Sequence, residues 1–243
     1  MAFTNWRGTV GAIKPTMRGG TLRDLYQILP DGIGVIPLFL DVRKGTTEEL
    51  RKGVDAYEPL VARLAEQNVD LILPEGAPPF MLLGYDGETE MVKGWERKFK
   101  VPVVTSGQNH VRALNAFKVK RFVGASYFPG KINDVFARYF TAAGFEVLAM
   151  EGIDVPFDRV NLLAPQLIYA HIKKMFLKHR KAEAIYLLGS AWKVMDMVKV
   201  LEQDLGVPVV HPTTARSWII QHHLHVRQPV TGFGRLVAEL PKG

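Results

Sequence analysis

The chain has 243 residues, 47% of them hydrophobic and 23% charged, with a formal net charge of +7 and no cysteine. This size and balance fit one large α/β domain or two small lobes around a substantial core, and exclude a disordered polypeptide. Without cysteine there are no disulfides, no thiolate metal ligands and no thiol catalysis. No apolar run nears the roughly 20 residues that span a bilayer. The opening MAFTNWRGTV lacks the basic and apolar regions of a secretion signal. A soluble cytoplasmic protein without a membrane partner is therefore expected.

In chain order, residues 9–13 and 33–40 read as strands, and 47–67 as a helix opened by Thr46 or Thr47 with Glu49 as a capping pair. A buried strand is expected over 70–73. A turn-rich stretch, Pro74-Glu75-Gly76-Ala77-Pro78-Pro79, follows it. A helix within 88–98, a strand over 101–104 and a helix over 109–117 come next. The rhythm then restarts, with strands over 121–126, 145–150, 184–188 and 207–210 and helices over 133–143, 162–179, 192–205 and 214–224. Such alternation predicts parallel sheets flanked by helices.

The densest basic run, Lys173, Lys174, Lys178, His179, Arg180 and Lys181, closes a helix and complements its dipole. The other basic residues are interspersed with acids, so a nucleic-acid partner is not expected, while a modest positive field suits a small anion. Self-association into a homo-oligomer is left open.

The tetrapeptide Val-Pro-Val-Val occurs at 101 and again at 207, 106 positions later. Val10-Gly11-Ala12 returns as Val123-Gly124-Ala125 after 113 positions, and Leu71-Ile72-Leu73 as Ile185-Tyr186-Leu187 after 114. This order predicts an internal duplication. The expected architecture is two Rossmann-like lobes related by a pseudo-two-fold, each a parallel four-stranded sheet flanked by helices. Residues 1–112 with 216–243 form one lobe and 113–215 the other, and corresponding strand ends face one cleft. Ligands of open α/β sheets lie beyond the strands' carboxyl ends. That rule nominates Lys14, Pro15 and Thr16, Glu75, Gly76 and Ala77, Tyr127, Gly189 and Ser190, and His211.

Several of these stretches carry a resemblance. Val10 to Pro15, Ala125-Ser126-Tyr127 with Asn133, and Ile185 to Ser190 contribute, as do Leu205 to Val210 and Gly232-Phe233-Gly234-Arg235-Leu236. Together the chain resembles the aspartate/glutamate racemase superfamily, in its arylmalonate decarboxylase and maleate isomerase branch. The resemblance covers nearly the whole length. It implies cofactor-free chemistry at a carbon beside a carboxylate. In the family's racemases one cysteine from each lobe acts as acid or base. Its decarboxylase keeps the second-lobe cysteine, holds one carboxylate in backbone amides and hydroxyls, and releases the other into an apolar pocket. Here the second-lobe position falls on Gly189 and the first on Gly76 or a neighbour. A two-thiol racemase is excluded.

Gly76-Ala77 and Gly189-Ser190, at strand-to-helix turns, are expected to bind a carboxylate through backbone amides, with Tyr127 donating from an exposed strand end. Pro15 and Thr16 complete the predicted binding set. For proton transfer the candidates are Glu75, His211 and Lys14, with His110 behind them. Glu75 is either a general acid beside a substrate carboxylate or a salt-bridge partner of Lys14 or Arg43. His211 is either an acid–base group or a helix cap. Lys14 pairs with substrate, with Glu75, or with both. The histidines of Gln221-His222-His223-Leu224-His225 lack a neighbouring carboxylate, so no metal site is expected. No nucleotide-binding glycine motif occurs, so no cofactor is expected. The leading expectation is a cofactor-independent decarboxylase of a small malonate-like acid, working through a carbanion or enediolate. The alternatives are an isomerase, racemase or hydrolase using Glu/His chemistry, and a silent carboxylate-binding relative.

Overall fold

The computed structural model describes residues 5–18, 20–192 and 194–243. In the first half, strand β1 (Gly8–Lys14) lies between β2 (Ile33–Phe39) and β3 (Leu71–Pro74), all parallel. In the second, β4 (Arg121–Ser126) lies between β5 (Glu146–Gly152) and β6 (Ala184–Leu187), and β7 (Val209–Val210) adds to β6. Buried on both faces, β3 and β6 read as unbroken apolar runs (LILP and AIYL), as strands sandwiched between helices must. The first sheet lacks the full fourth strand expected over 101–104, which touches β3 only through an Ile72–Val103 bridge.

The helices are α1 (Gly20–Ile28), α2 (Thr47–Gly53), α3 (Tyr57–Ala65), α4 (Ala77–Leu83), α5 (Tyr85–Phe99) and α6 (Ser106–Ala116) in the first half. Then come α7 (Ile132–Ala142), α8 (Pro165–Lys178), α9 (Val198–Leu205), α10 (Pro212–His223) and α11 (Arg235–Glu239). The single helix expected over 47–67 is two. Pro59 has no amide to donate back to Asp55, so the turn before it cannot stay helical. Its capping pair forms as predicted. The Thr46 hydroxyl accepts from the Glu49 amide at 3.2 Å, and the Glu49 carboxylate returns to the Arg43, Lys44 and Gly45 amides at 2.7–2.9 Å. The helix expected from 192, whose residue 193 lies outside the described residues, begins at Val198 after a short 3-10 turn. Helices α1, α4 and α11 fall in stretches where none was predicted. None among the described residues is long and apolar enough to cross a membrane.

The two halves repeat down to single hydrogen bonds. The Asp70 amide donates to Thr9 O, and Glu183 to Arg121 O. Leu40 donates to Lys14 O, and Ile153 to Ser126 O. Glu75 donates to Ile13 O, and Leu188 to Ala125 O. Ile72 donates to Pro102 O, and Ile185 to Pro208 O. These pairs set offsets of 112 for the central strand and 113 for the third, one less than the repeated tripeptides suggest. In a strand one residue exchanges faces, so the correction decides which side chains correspond. Lys14 matches Ser126, and Glu75 matches Leu188. A bulge in β5, where pairing jumps from Phe122–Val147 to Val123–Ala149, explains why the offset is not uniform.

The likeness around Val-Pro-Val-Val runs further still. Glu96 accepts from the Val103 amide at 3.0 Å and Glu202 from Val209 at 2.9 Å. Both preceding helices end on a left-handed residue, Lys100 or Gly206, whose amide returns to Glu96 O or Glu202 O. Helix α10 then packs against α1 and α6, and its Ser217 hydroxyl donates to Ile28 O at 2.7 Å.

Candidate active site

The carboxyl ends of both sheets meet on a cavity of about 60 Å³. Lys14, Pro15, Thr16, Glu75, Gly76, Ala77, Tyr127, Gly189 and Ser190 all line it, as their strand-end positions foretold. His211 does not. Arg18, His110, Phe157 and Arg216 complete the wall.

At its centre the Glu75 carboxylate binds two cations through one oxygen. Lys14 Nζ forms an ion pair with Oε2, and Arg216 Nη2 lies 2.8 Å from the same atom. All three side chains are buried, exposed by only 2% (Lys14), 3% (Glu75) and 4% (Arg216). The alternative partner, Arg43, pairs instead with Asp41 on the surface. Tyr57 donates its hydroxyl to Glu75 O at 2.5 Å, fixing the turn that carries the carboxylate. Burial first, and then the neighbouring Arg216, bring the Lys14 ammonium down to about 8, with Glu75 pulling the other way. Glu75 Oε1, Arg216 Nη1 and Arg18 Nη1 are buried with no hydrogen-bond partner. Such orphans are costly unless a ligand meets them. Arg18 Nη2 donates to Phe157 O at 2.5 Å, and its guanidinium lies over the Phe157 ring.

Gly76 and Gly189 both have left-handed backbones, φ +93° and +92°. A Cβ on Gly76 would meet Pro15 Cγ at 2.9 Å, and one on Gly189 would fall within the Tyr127 ring. The position where the resemblance placed a cysteine is thus filled by an aromatic ring. The turns differ in their amides from what was expected. Pro78 and Pro79 remove two donors from the start of α4. No helix begins directly after Ser190. Tyr127 is not the exposed phenol predicted. It is buried, stacked on Phe128 at 4.9 Å and edge-on to Trp192 at 5.5 Å, and burial pushes its hydroxyl up to about 12.

His211 is the N-cap of α10, its Nδ1 accepting from the Thr213 amide at 3.3 Å. Burial and Arg216 hold it down to about 3. Of the two roles open to it, the structure places it in the helix-capping one. His110 lines the cavity and shares a 2.9 Å hydrogen bond with the Tyr186 hydroxyl, and burial holds it to about 3 as well. The reading along the sequence missed Arg216, although the repeat carries it. Six residues beyond the first Val-Pro-Val-Val is His110, and six beyond the second is Arg216. Arg18 sits between strand and helix with no local signal. Among the described residues no three His, Asp or Glu converge as metal ligands. His222 packs on the Trp218 ring at 5.9 Å.

Two parallel sheets with the same strand order, closing their carboxyl ends on one charged cavity, define an α/β protein of the Asp/Glu racemase-like class. Within it the chain belongs to the arylmalonate decarboxylase family, whose model matches residues 10–237. Among solved structures it is similar to the maleate isomerase Iso of Pseudomonas putida S16, at 16% identity and a TM-score of 0.88 over 96% of this chain and 99% of that one. A Nocardia farcinica maleate cis-trans isomerase with a covalently bound succinylcysteine intermediate gives 17% identity and 0.88, over 96% and 98%. An arylmalonate decarboxylase gives 19% and 0.80, over 95% and 99%. At these identities the structures establish the fold. No curated protein matches the chain.

Proposed function

We propose that the protein is a cofactor-independent decarboxylase of a small malonate-like acid. The observation that carries this reading is the charge of the cavity wall. Lys14, Arg18 and Arg216 against Glu75 leave two positive charges uncompensated, matching a dicarboxylate dianion. The orphaned Nη1 atoms of Arg18 and Arg216 are the donors for its carboxylates. In this reading one carboxylate is held by the arginines and the glycine turns. The other leaves as CO2 toward the apolar wall of Val42, Leu50, Pro78 and Phe157. The resulting carbanion is stabilised as an enediolate by the surrounding cations. The Lys14–Glu75 pair returns the proton, because Lys14 alone among these groups is poised to release one near neutrality.

Decarboxylation is preferred to cis–trans isomerisation on one further ground. The Nocardia mutant carries a covalent succinylcysteine, which this chain has no thiol to form, whereas the thiol that the resemblance assigns to the decarboxylase can be replaced by another proton donor. The reading also treats residues 1–112 with 216–243 and 113–215 as two lobes, supported by the return of α10 onto α1 and α6.

Aryl- and alkylmalonates incubated with the protein in deuterated water test this. Release of CO2 with deuterium at the α-carbon is expected. Label exchange or double-bond isomerisation without CO2 would point to isomerase chemistry. Saturable binding without either would leave a carboxylate-binding protein.

A further inference from the structure

Lys14 is the only buried lysine among the described residues. It ends β1 on the wall of the cavity, held against the Glu75 carboxylate, which also carries Arg216. Burial and a second cation both favour the neutral amine over the ammonium, and a carboxylate in contact can receive the proton. A neutral amine facing a substrate cavity is a nucleophile. Arginine could not serve in this way, because it does not lose its proton.

We propose that Lys14 forms an imine with a short β-oxo diacid, one of whose carboxylates stays between Arg18 and Arg216 while the carboxylate β to the carbonyl is lost toward the apolar wall. This deepens the decarboxylase reading and rests on it, naming the substrate class. Lys14 passes a proton to Glu75, and the amine attacks the substrate's carbonyl carbon to give a carbinolamine. The Glu75 proton then converts the hydroxyl to water, which leaves as the iminium forms. The bond to the β-carboxylate breaks, its electron pair flows into the iminium, and CO2 and an enamine result. Glu75, reprotonated from water, protonates the enamine carbon. Hydrolysis then frees the oxo acid and restores Lys14. Overall one diacid dianion and one proton become an oxo acid anion and CO2, with no oxidant or reductant.

The test is reductive trapping on the full chain. The protein is incubated with 2-oxobutanedioate and sodium borohydride, then read by intact mass and peptide mapping. One adduct is expected, on Lys14, carrying the decarboxylated carbon skeleton. Its yield should rise on the order of 50-fold from pH 6 to pH 8 as the amine loses its proton. Lys14→Arg, checked for folding by circular dichroism, should trap nothing and release no CO2 from 2-oxobutanedioate. Labelling of Lys14 no greater than that of surface lysines would overturn the proposal, as would CO2 release undiminished in Lys14→Arg. Decarboxylation of malonates or oxo acids without an adduct would sink the imine and leave the decarboxylase standing. An adduct that keeps both carboxylates, with no CO2 from any acid, would support the imine and remove the decarboxylase.

Discussion

The two halves share their strand order, their hydrogen bonds and even the glutamate that caps each Val-Pro-Val-Val, yet apart from the paired Gly76 and Gly189 they differ where they face the cavity. The first half presents Lys14 and Glu75 where the second presents Ser126 and Leu188, and the second presents Arg216 where the first has His110. The scaffold positions are repeated in both halves, whereas every charged position on the cavity wall is used once. The contrast shows that the framework needs both copies but the chemistry is drawn to one point. Two cations from different elements converge on a single carboxylate oxygen that has no symmetric counterpart. An inversion would require like groups on opposite sides, whereas a one-sided proton return does not.

The most severe way to break this asymmetry is to neutralise its hub. Glu75→Gln leaves Lys14 and Arg216 buried without a counter-ion and should lower the unfolding free energy by about 3–5 kcal/mol in urea titrations. A loss below about 1 kcal/mol would show that the cations do not depend on Glu75. The glycine turns offer a comparison between halves. Gly189→Ala should cost roughly 2–4 kcal/mol because its Cβ invades Tyr127 at a left-handed φ. Gly76→Ala, meeting Pro15 and Tyr57 less closely, should cost less, and an equal or reversed order in melting temperature would refute the steric account.

Acid should unfold the protein through one histidine from each half. His110 and His211 are held near 3 in the fold against an unfolded value near 6.5, so unfolding binds two protons as pH falls below about 6.5. Glu88, buried and raised to about 7, works the other way, because its folded form keeps a proton that the unfolded chain loses above about 4.5. Between pH 4.5 and 6.5 these three groups together contribute one proton, a contribution that the raised carboxyls of Glu202 and Asp24 reduce. Stability should therefore fall by up to roughly 1.4 kcal/mol per pH unit on acidification, and by about twice that below about pH 4.5. Denaturant unfolding across pH measures both slopes. His110→Gln should remove one proton from each.

Making the halves alike should weaken binding. Arg216→His copies the first half's residue and should reduce affinity for malonate about tenfold or more in calorimetry. The smallest effect is expected at His211. His211→Asn keeps a helix-capping acceptor, so it should change stability by less than about 1 kcal/mol and leave turnover unaltered. A large fall in kcat would return His211 to the chemistry.

Much of this was legible in the residues. Apolar strands alternating with helices announced two parallel sheets, and the strand ends named nine of the wall residues. The single helix expected over 47–67 divides ahead of Pro59, whose signal is present in the sequence but subordinate to a convincing 3.6-residue apolar period. The repeat was visible yet aligned one residue out, because identical Val-Gly-Ala tripeptides outweigh a hydrogen-bond register that no residue spells. Arg216 could have been found by extending the repeat six residues further. Arg18 could not, since the loop that brings it to Phe157 has no periodicity. The burial of His211 and Tyr127 depends on what packs over them from distant segments, and strand-end position alone does not encode it.

The Tyr127 ring against Gly189 also fixes the order in which this site could change. A thiol placed at 189 by a single substitution meets an aromatic ring and a backbone that resists side chains. Tyr127 would have to shrink first, and that step would loosen the Phe128 and Trp192 packing before any thiol was gained. Cysteine chemistry is thus separated from this protein by an intermediate with a damaged wall and no new catalyst.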